Sequence, residues 1–343
     1  MPNRITVARR LPRRTRSRSG AAPQIVVLGD LTLDVVLRPG RPLAVGTDVP
    51  GAVRLRQGGS AANTARWLGR LGASTQLICA VGRDGPGRAL IGALRSEHVV
   101  VRASRVAGHP TGRIGVVVAS DGERSFVTDR GAADWLSPGE LDPAWFDRAD
   151  LLHLPVYSLL GEPLGSAGRE AIRVARAAGA AISLDLASVG PLMANGREAA
   201  LGLVRSIAPD VLLATATELA ALLDVDDRAE FGARTLALAP VVVVKRGANG
   251  ASVHLLDAGG APNTFEVATR PLAASDSTGA GDAFDAGFLI GFVEDRRSGS
   301  AGLAGLALPS ARSSPTGLRR AVLAGHRIAA RHLAGPLPEL DLG

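Results

Sequence analysis

Lysine is almost missing from this sequence: Lys245 is the only one among 39 basic residues. It is followed by Arg246 and lacks the preceding glycines, which excludes a P-loop phosphate cradle. Cysteine is as scarce. Cys79 stands alone, so no intramolecular disulfide and no cysteine-based zinc site can form. Its setting, Leu77-Ile78-Cys79-Ala80-Val81, reads as a buried run in which a thiol acts as a small hydrophobe. The six histidines show no metal-ligand spacing. Aromatic residues make up only 3 % of a chain that is 46 % hydrophobic, so alanine, valine and leucine must fill a large core. No stretch approaches the roughly 18 uninterrupted apolar residues that would span a membrane, and a soluble, cytoplasmic protein is expected.

Acidic residues are absent from residues 1–20, which hold Arg4, Arg9, Arg10, Arg13, Arg14, Arg16 and Arg18. Setting those seven aside leaves 32 basic residues against 32 acidic ones, so the formal charge of +7 belongs to this segment and the body is neutral. A neutral body argues against a nucleic-acid-binding surface. Residues 1–22 read as a disordered Arg-rich leader; a targeting segment and a nucleic-acid arm are the alternatives.

Residues 23–343 read as one α/β domain. Ile25-Val26-Val27-Leu28-Gly29-Asp30 is a short apolar run ending at glycine, the pattern of a buried strand. Further buried strands are expected at 74–81, 150–156, 180–186, 210–214 and 240–245. Helices are expected near 60–71, 86–97, 166–178, 217–223, 229–238, 279–293 and 316–333, with Ser60 as the N-cap of the first. Strands alternating with helices predict a mostly parallel sheet flanked by helices. Antiparallel additions are expected at 112–119 with 124–128 and at 251–256 with 263–268. A small β-rich lid is expected from about 41–57 and 110–130, and a flexible insertion at about 295–315.

The chemistry concentrates in Asp276-Ser277-Thr278-Gly279-Ala280-Gly281-Asp282-Ala283-Phe284. Gly279 and Gly281 let backbone amides approach a ligand closely, and a helix start makes those amides an anion site. A carboxylate at Asp282 stays ionised there and can accept a hydroxyl proton; the alternative is a simple helix cap. This string resembles the C-terminal signature of the PfkB, or ribokinase-like, carbohydrate kinases. Gly58-Gly59-Ser60-Ala61-Ala62-Asn63 resembles the family's N-terminal signature. The resemblance covers roughly 24–334 and implies a three-layer ribokinase-like fold and ATP-dependent phosphorylation of a hydroxyl, expected to be a primary one, on a small sugar or sugar derivative.

By that resemblance Asp282 is the catalytic base, and Gly279, Ala280 and Gly281 form the anion hole. Asp34, Gly58, Gly59 and Asn63 bind substrate, and Arg130 and Tyr157 are further candidates. Lys245, Gly247, Gly250 and Thr278 lie beside the nucleotide, with Gly279 and Gly281. Glu218 is associated with Mg²⁺, and a monovalent cation such as K⁺ is expected near Asp276. For Asp34 a turn residue is the alternative, for Arg130 a surface arginine. The chain departs from the family pattern in three places. Thr215 replaces the asparagine three residues before Glu218. Asp185 and Ser188 are the only polar candidates after the strand ending near 186. The segment His153–Tyr157 lacks the acidic residue of ribokinases. Alternative functions are a nucleoside or pseudouridine kinase and a catalytically silent sugar-binding regulator. The expected partners are the sugar and ATP, with no nucleic acid and no membrane; a homodimer through the lid strands is one arrangement and a lid closing alone the other.

Overall fold

The structure, a computed structural model, describes residues 21–119, 123–225, 231–256, 260–272, 276–301, 313–335 and 339–342. The leader to residue 20, the turn at Asp121-Gly122, Gly259 and residues 302–312 of the expected insertion lie outside them. The large sheet is built from β1 (Gln24–Leu28), β4 (Ser74–Gly82), β5 (Val99–Val106), β8 (Leu151–Pro155), β9 (Ala181–Asp185), β10 (Val211–Thr215), β11 (Val241–Lys245), β12 (Ala251–Leu256) and β13 (Pro262–Val267). Its order is β13-β12-β11-β10-β9-β8-β1-β4-β5. Every neighbouring pair from β11 to β5 is parallel, and β12 and β13 add on antiparallel.

The alternation of side chains along each strand assigns the core to two faces. Ile25 and Val27 of β1 pack with α1 (Ser60–Arg70), α2 (Gly85–Ser96), α8 (Ala280–Ala301) and α9 (Pro315–Ala334). Val26 and Leu28 pack on the opposite side with α3 (Leu164–Ala177), α4 (Val189–Leu192), α5 (Arg197–Ile207), α6 (Ala216–Leu223) and α7 (Phe231–Leu236). A strand covered on both faces has no solvent side to mark with polar residues, which explains runs such as Val241-Val242-Val243-Val244. Among the described residues no helix is long and apolar enough to cross a membrane.

A second sheet of four strands, β2 (Thr32–Pro39), β3 (Gly51–Gly58), β6 (Thr111–Val118) and β7 (Arg124–Gly131), runs in the order β3-β2-β6-β7. It differs from expectation in its first strand. Asp34 is no turn residue but sits inside β2, opposite Arg56 of β3 and Ile114 of β6. β5 and α5 were also not anticipated, and residues 295–301, expected in the flexible insertion, continue α8 as helix. At the start of α1 the N-cap is Gly59, with φ of 95°, and not Ser60. The Ser60 side chain is engaged elsewhere.

With so few aromatics, the three phenylalanines on one face of α8 carry unusual weight. Phe288 is fully buried and lies 6.3 Å from the Phe284 ring and 5.8 Å from the Phe292 ring. Phe288→Ala should lower stability by about 3–5 kcal/mol, read as a shifted denaturant midpoint with unchanged slope.

Candidate active site

Four adjacent parallel strands of the large sheet end on residues facing one cleft or its rim: β8 at Pro155, β9 at Asp185, β10 at Thr215 and β11 at Lys245. The carboxyl edge of such a sheet is where α/β folds bind ligands, because loops and helix N-termini converge there. Two connected cavities occupy it. The larger, about 700 Å³, is bounded by Asp30, Asp34, Asn63, Arg130, Tyr157 and Asp282 among others. The second, about 420 Å³, has apolar walls from Ala248, Leu272, Phe284, Ala329 and Leu333. Lys245, Thr215, Ser277 and Gly281 border both, whereas Asp282 faces only the larger one.

Asp282 lies in the first turn of α8. Ser60 Oγ donates to its Oδ1 at 2.7 Å and Asn63 Nδ2 to its Oδ2 at 3.0 Å. Burial pushes its carboxyl up to about 6, while those two hydrogen bonds pull it down. It is therefore largely ionised near neutral pH but close enough to its pKa to take a proton. Gly279, with φ of 81°, opens the turn before the helix. The Ala280 N–H donates to Ser277 O at 3.1 Å, which closes that turn.

The paired glycines are dictated by two aspartates. A Cβ at Gly58 would fall 1.7 Å from Asp34 Oδ1, and one at Gly59 would fall 2.4 Å from the carbonyl oxygen of Asp30. Asp30 in turn accepts from the Ala61 N–H at 3.1 Å, anchoring the start of α1. Burial pushes the Asp34 carboxyl up to about 7, with Thr32 Oγ1 donating to it at 3.3 Å and opposing the shift. Arg130 is no loose surface arginine. Its Nε donates to Asp134 at 2.6 Å, Nη1 lies 3.4 Å from Asp30, and the guanidinium stacks 5.1 Å from the Tyr157 ring. Its Nη2 is buried without a hydrogen-bond partner among the described residues.

Lys245 is held by Asp185 Oδ1 at 3.0 Å and by Asp285 Oδ1 and Oδ2 at 3.1 and 3.2 Å. Burial disfavours its charge, but Asp185, Asp285 and Glu218 outweigh that and raise its pKa. A Cβ at Gly281 would lie 3.6 Å from Nζ, so the lysine's charge sits directly beneath the glycine turn. Gly247 and Gly250 flank a 3₁₀ turn on the wall of the second cavity, with φ of 56° and 82°. Glu218 closes a capping box at the start of α6: its N–H bonds Thr215 Oγ1 at 3.2 Å and its Oε2 accepts from the Thr215 N–H at 2.7 Å. Burial and the nearby Asp185 raise its carboxyl.

Asp276 is differently placed from expectation. Thr278 N and Oγ1 donate to its Oδ1 at 3.0 and 2.7 Å; Arg38 Nη2 and Arg56 Nη1 reach its Oδ2 at 3.1 and 2.9 Å. Against the cost of burial, these contacts hold its carboxyl well below the usual range. Both oxygens are already matched by the chain's own donors, and a monovalent cation there would have to displace an arginine. Arg124 completes the cluster by donating to Thr278 Oγ1 at 2.5 Å and Ser277 Oγ at 2.9 Å. Arg38, Arg56 and Arg124 were not anticipated. They come from three strands of the small sheet, and nothing in their local sequence points at a loop more than 150 residues away.

Comparison with known proteins identifies the family of the chain. The model of the pfkB family carbohydrate kinases matches residues 22–330. A fructokinase from Klebsiella pneumoniae is 32 % identical over 276 residues, covering 79 % of this chain and 84 % of that protein. Among solved structures, the adenosine kinase from Sinorhizobium meliloti superposes with a TM-score of 0.76 at 24 % identity, covering 94 % of this chain and 98 % of that one. A candidate ribokinase II from E. coli, solved with ATP and Mg²⁺, gives 0.71 at 22 % identity, covering 92 % and 94 %. The chain belongs to the pfkB family of carbohydrate kinases. It is an ATP-dependent carbohydrate kinase with the ribokinase-like fold.

The raised pKa of Asp34 carries a sign that can be tested. The group's folded-state pKa, about 7, exceeds its ordinary value of 3.8, so its protonated form favours the fold and that contribution is lost as pH rises through 7. Asp34→Asn should therefore stabilise the unliganded protein by about 1–4 kcal/mol at pH 8, shrinking to nothing as pH falls toward 4. Thermal unfolding across that pH range reads the difference.

Proposed function

We propose that the protein transfers the γ-phosphoryl group of ATP to a primary hydroxyl of a neutral free sugar, with Asp282 as the base. The observation that carries this reading is the division of the cleft. Asp282 faces the compartment that holds Asp34, Asn63 and Arg130, while Gly281 and Lys245 reach both compartments. A hydroxyl beside Asp282 thus meets a phosphate arriving from the apolar compartment at the glycine turn.

In this reading Asp34 and Asn63 orient the sugar by accepting from and donating to its hydroxyls, and Gly58 and Gly59 keep the floor free of side chains. Arg130 already offsets Asp30 and Asp134, so its unused Nη2 serves as a donor to an uncharged oxygen. Asp134 and Asp34 on the same wall disfavour sugar acids and sugar phosphates. The adenine ring lies against Leu272, Ala329 and Leu333, beside Gly247 and Gly250. Mg²⁺ bound with the nucleotide would neutralise charge on its phosphates, and Glu218 and Asp185 would be the carboxylates to hold it. Asp282 accepts the hydroxyl proton as the new O–P bond forms and the bond to the β-phosphate oxygen breaks. The Gly279 and Gly281 amides, above Lys245, take up charge on the transferred group. The small sheet acts as a lid, its arginines meeting Asp276 when closed. The K. pneumoniae relative makes fructose the first sugar to test.

A coupled assay of ADP release against fructose, other ketohexoses, pentoses, sugar acids, sugar phosphates and nucleosides tests this. A free sugar should stimulate release most, and Asp282→Asn should lower kcat by about 10²–10⁴-fold with little change in sugar KM. Stimulation that survives Asp282→Asn would remove Asp282 from the role of base. A nucleoside or an anionic sugar as the best substrate would overturn the neutral-sugar assignment.

The pH dependence follows from the same residue. Because the base must be ionised, kcat/KM should fall as pH drops through about 6, the value to which burial raises Asp282. A rate profile flat from about pH 5 to about pH 7 would contradict the assignment.

A further inference from the structure

His332, in the last turn of α9, is 5 % exposed and takes no part in either cavity's chemistry as described so far. Its ring nitrogens meet two groups whose hydrogen-bonding roles admit no choice. Trp67 Nε1 lies 3.2 Å from Nδ1, and an indole N–H only donates. Nδ1 must therefore be the acceptor, and the ring hydrogen sits on Nε2. Nε2 lies 2.7 Å from the carbonyl oxygen of Thr278, which only accepts. The neighbours thus select one neutral tautomer. Burial and Arg66 lower the ring's pKa in the same sense, against the Thr278 contact, which raises it.

The consequence lies one atom further on. Thr278 O and Gly279 N–H belong to one planar trans peptide and point in opposite directions. Pinning the oxygen fixes where the N–H aims, and a hydrogen bond on the carbonyl polarises the amide so that its N–H becomes a better donor. A Cβ at Gly279 would lie 3.3 Å from His332 Cε1 and 3.7 Å from Asn63 Nδ2, so the same peptide is gripped between α9 and the substrate-facing start of α1. We propose that His332 is a positioning residue for phosphoryl transfer, oriented by Trp67 and acting through the Thr278–Gly279 peptide on the anion hole. The inference rests on the role proposed above for the Gly279 and Gly281 amides.

Three variants and one spectrum test it. Removing one oxyanion-type donor lowers kcat about 10²–10³-fold, and misaiming one should stay below that, so His332→Leu should lower kcat about 10–100-fold. Sugar KM should move by less than about threefold, since ground-state binding is untouched. His332→Gln, which keeps an N–H donor, should recover much of the loss. ¹⁵N spectra of the histidine-labelled full chain should show His332 with its hydrogen on Nε2, and Trp67→Phe should release that preference. Unchanged kcat in His332→Leu, or equal losses in both His332 variants that track thermal stability, would overturn the proposal, as would a wild-type ring with its hydrogen on Nδ1. A wild type that phosphorylates nothing on the panel would instead defeat the functional reading, while the spectrum would still report whether Trp67 and Thr278 hold the ring.

Discussion

The hydrogen bonds from Ser60 and Asn63 to Asp282 join the N-termini of α1 and α8 across 222 and 219 residues of sequence, and the site depends on them. A carboxylate beside a phosphate-accepting turn would otherwise rotate toward the turn's own amides or toward Lys245. Held by two neutral donors that line the same cavity, it keeps a fixed orientation in the cleft. The same two helices carry the paired glycines and the glycine turn, so whatever fixes their relative placement fixes both ends of the cleft together. Gly59 fixes one end, since only glycine tolerates its φ of 95° with Asp30 pressed against it.

A second constraint is charge. Asp30, Asp34, Asp134, Asp185, Glu218 and Asp282 line the cleft, with Asp285 behind Lys245, against three cations, Arg124, Arg130 and Lys245. The excess is distributed by environment. Asp34 and Asp282 are pushed up by burial, whereas Lys245 is locked in its charged form between Asp185 and Asp285. Such a cleft is costly to the empty fold, the usual situation where a site is built for a ligand before the ligand arrives. At Asp276 the balance reverses: Arg38, Arg56 and Arg124 of the small sheet surround its single carboxylate. The small sheet is thus tied to the glycine turn by charge as well as by packing.

The fold was largely legible because buried parallel strands and their helices announce themselves locally. The strands at 74–82, 151–155, 181–185, 211–215 and 241–245 are apolar runs, each next to a helix with its own period. β2 was not, because Thr32–Pro39 carries Asp34, Arg38 and Pro39 and pairs on only one covered face, so its pattern resembles a loop. Residues 295–301 were misread for the opposite reason: Asp295, Arg296, Arg297, Ser298 and Gly299 lack apolar periodicity, yet the long helix continues through them because its preceding turns are anchored by Phe284, Phe288 and Phe292.

By itself the sequence determined the class of the protein. Gly59 and Gly279 take positive φ, and Gly58 and Gly59 leave the space that Asp34 and Asp30 occupy, so each site is marked in the sequence by its glycines. Tertiary structure alone decided who supports them. Ser60 turned out to be Asp282's hydrogen-bond donor in place of a helix cap, and Asp276 an arginine-bound anchor in place of a cation ligand. His332 and Trp67 could not be found by motif at all. Their partners lie 54 and 265 residues away, and no local rule of helix or strand records a contact made only when distant elements pack.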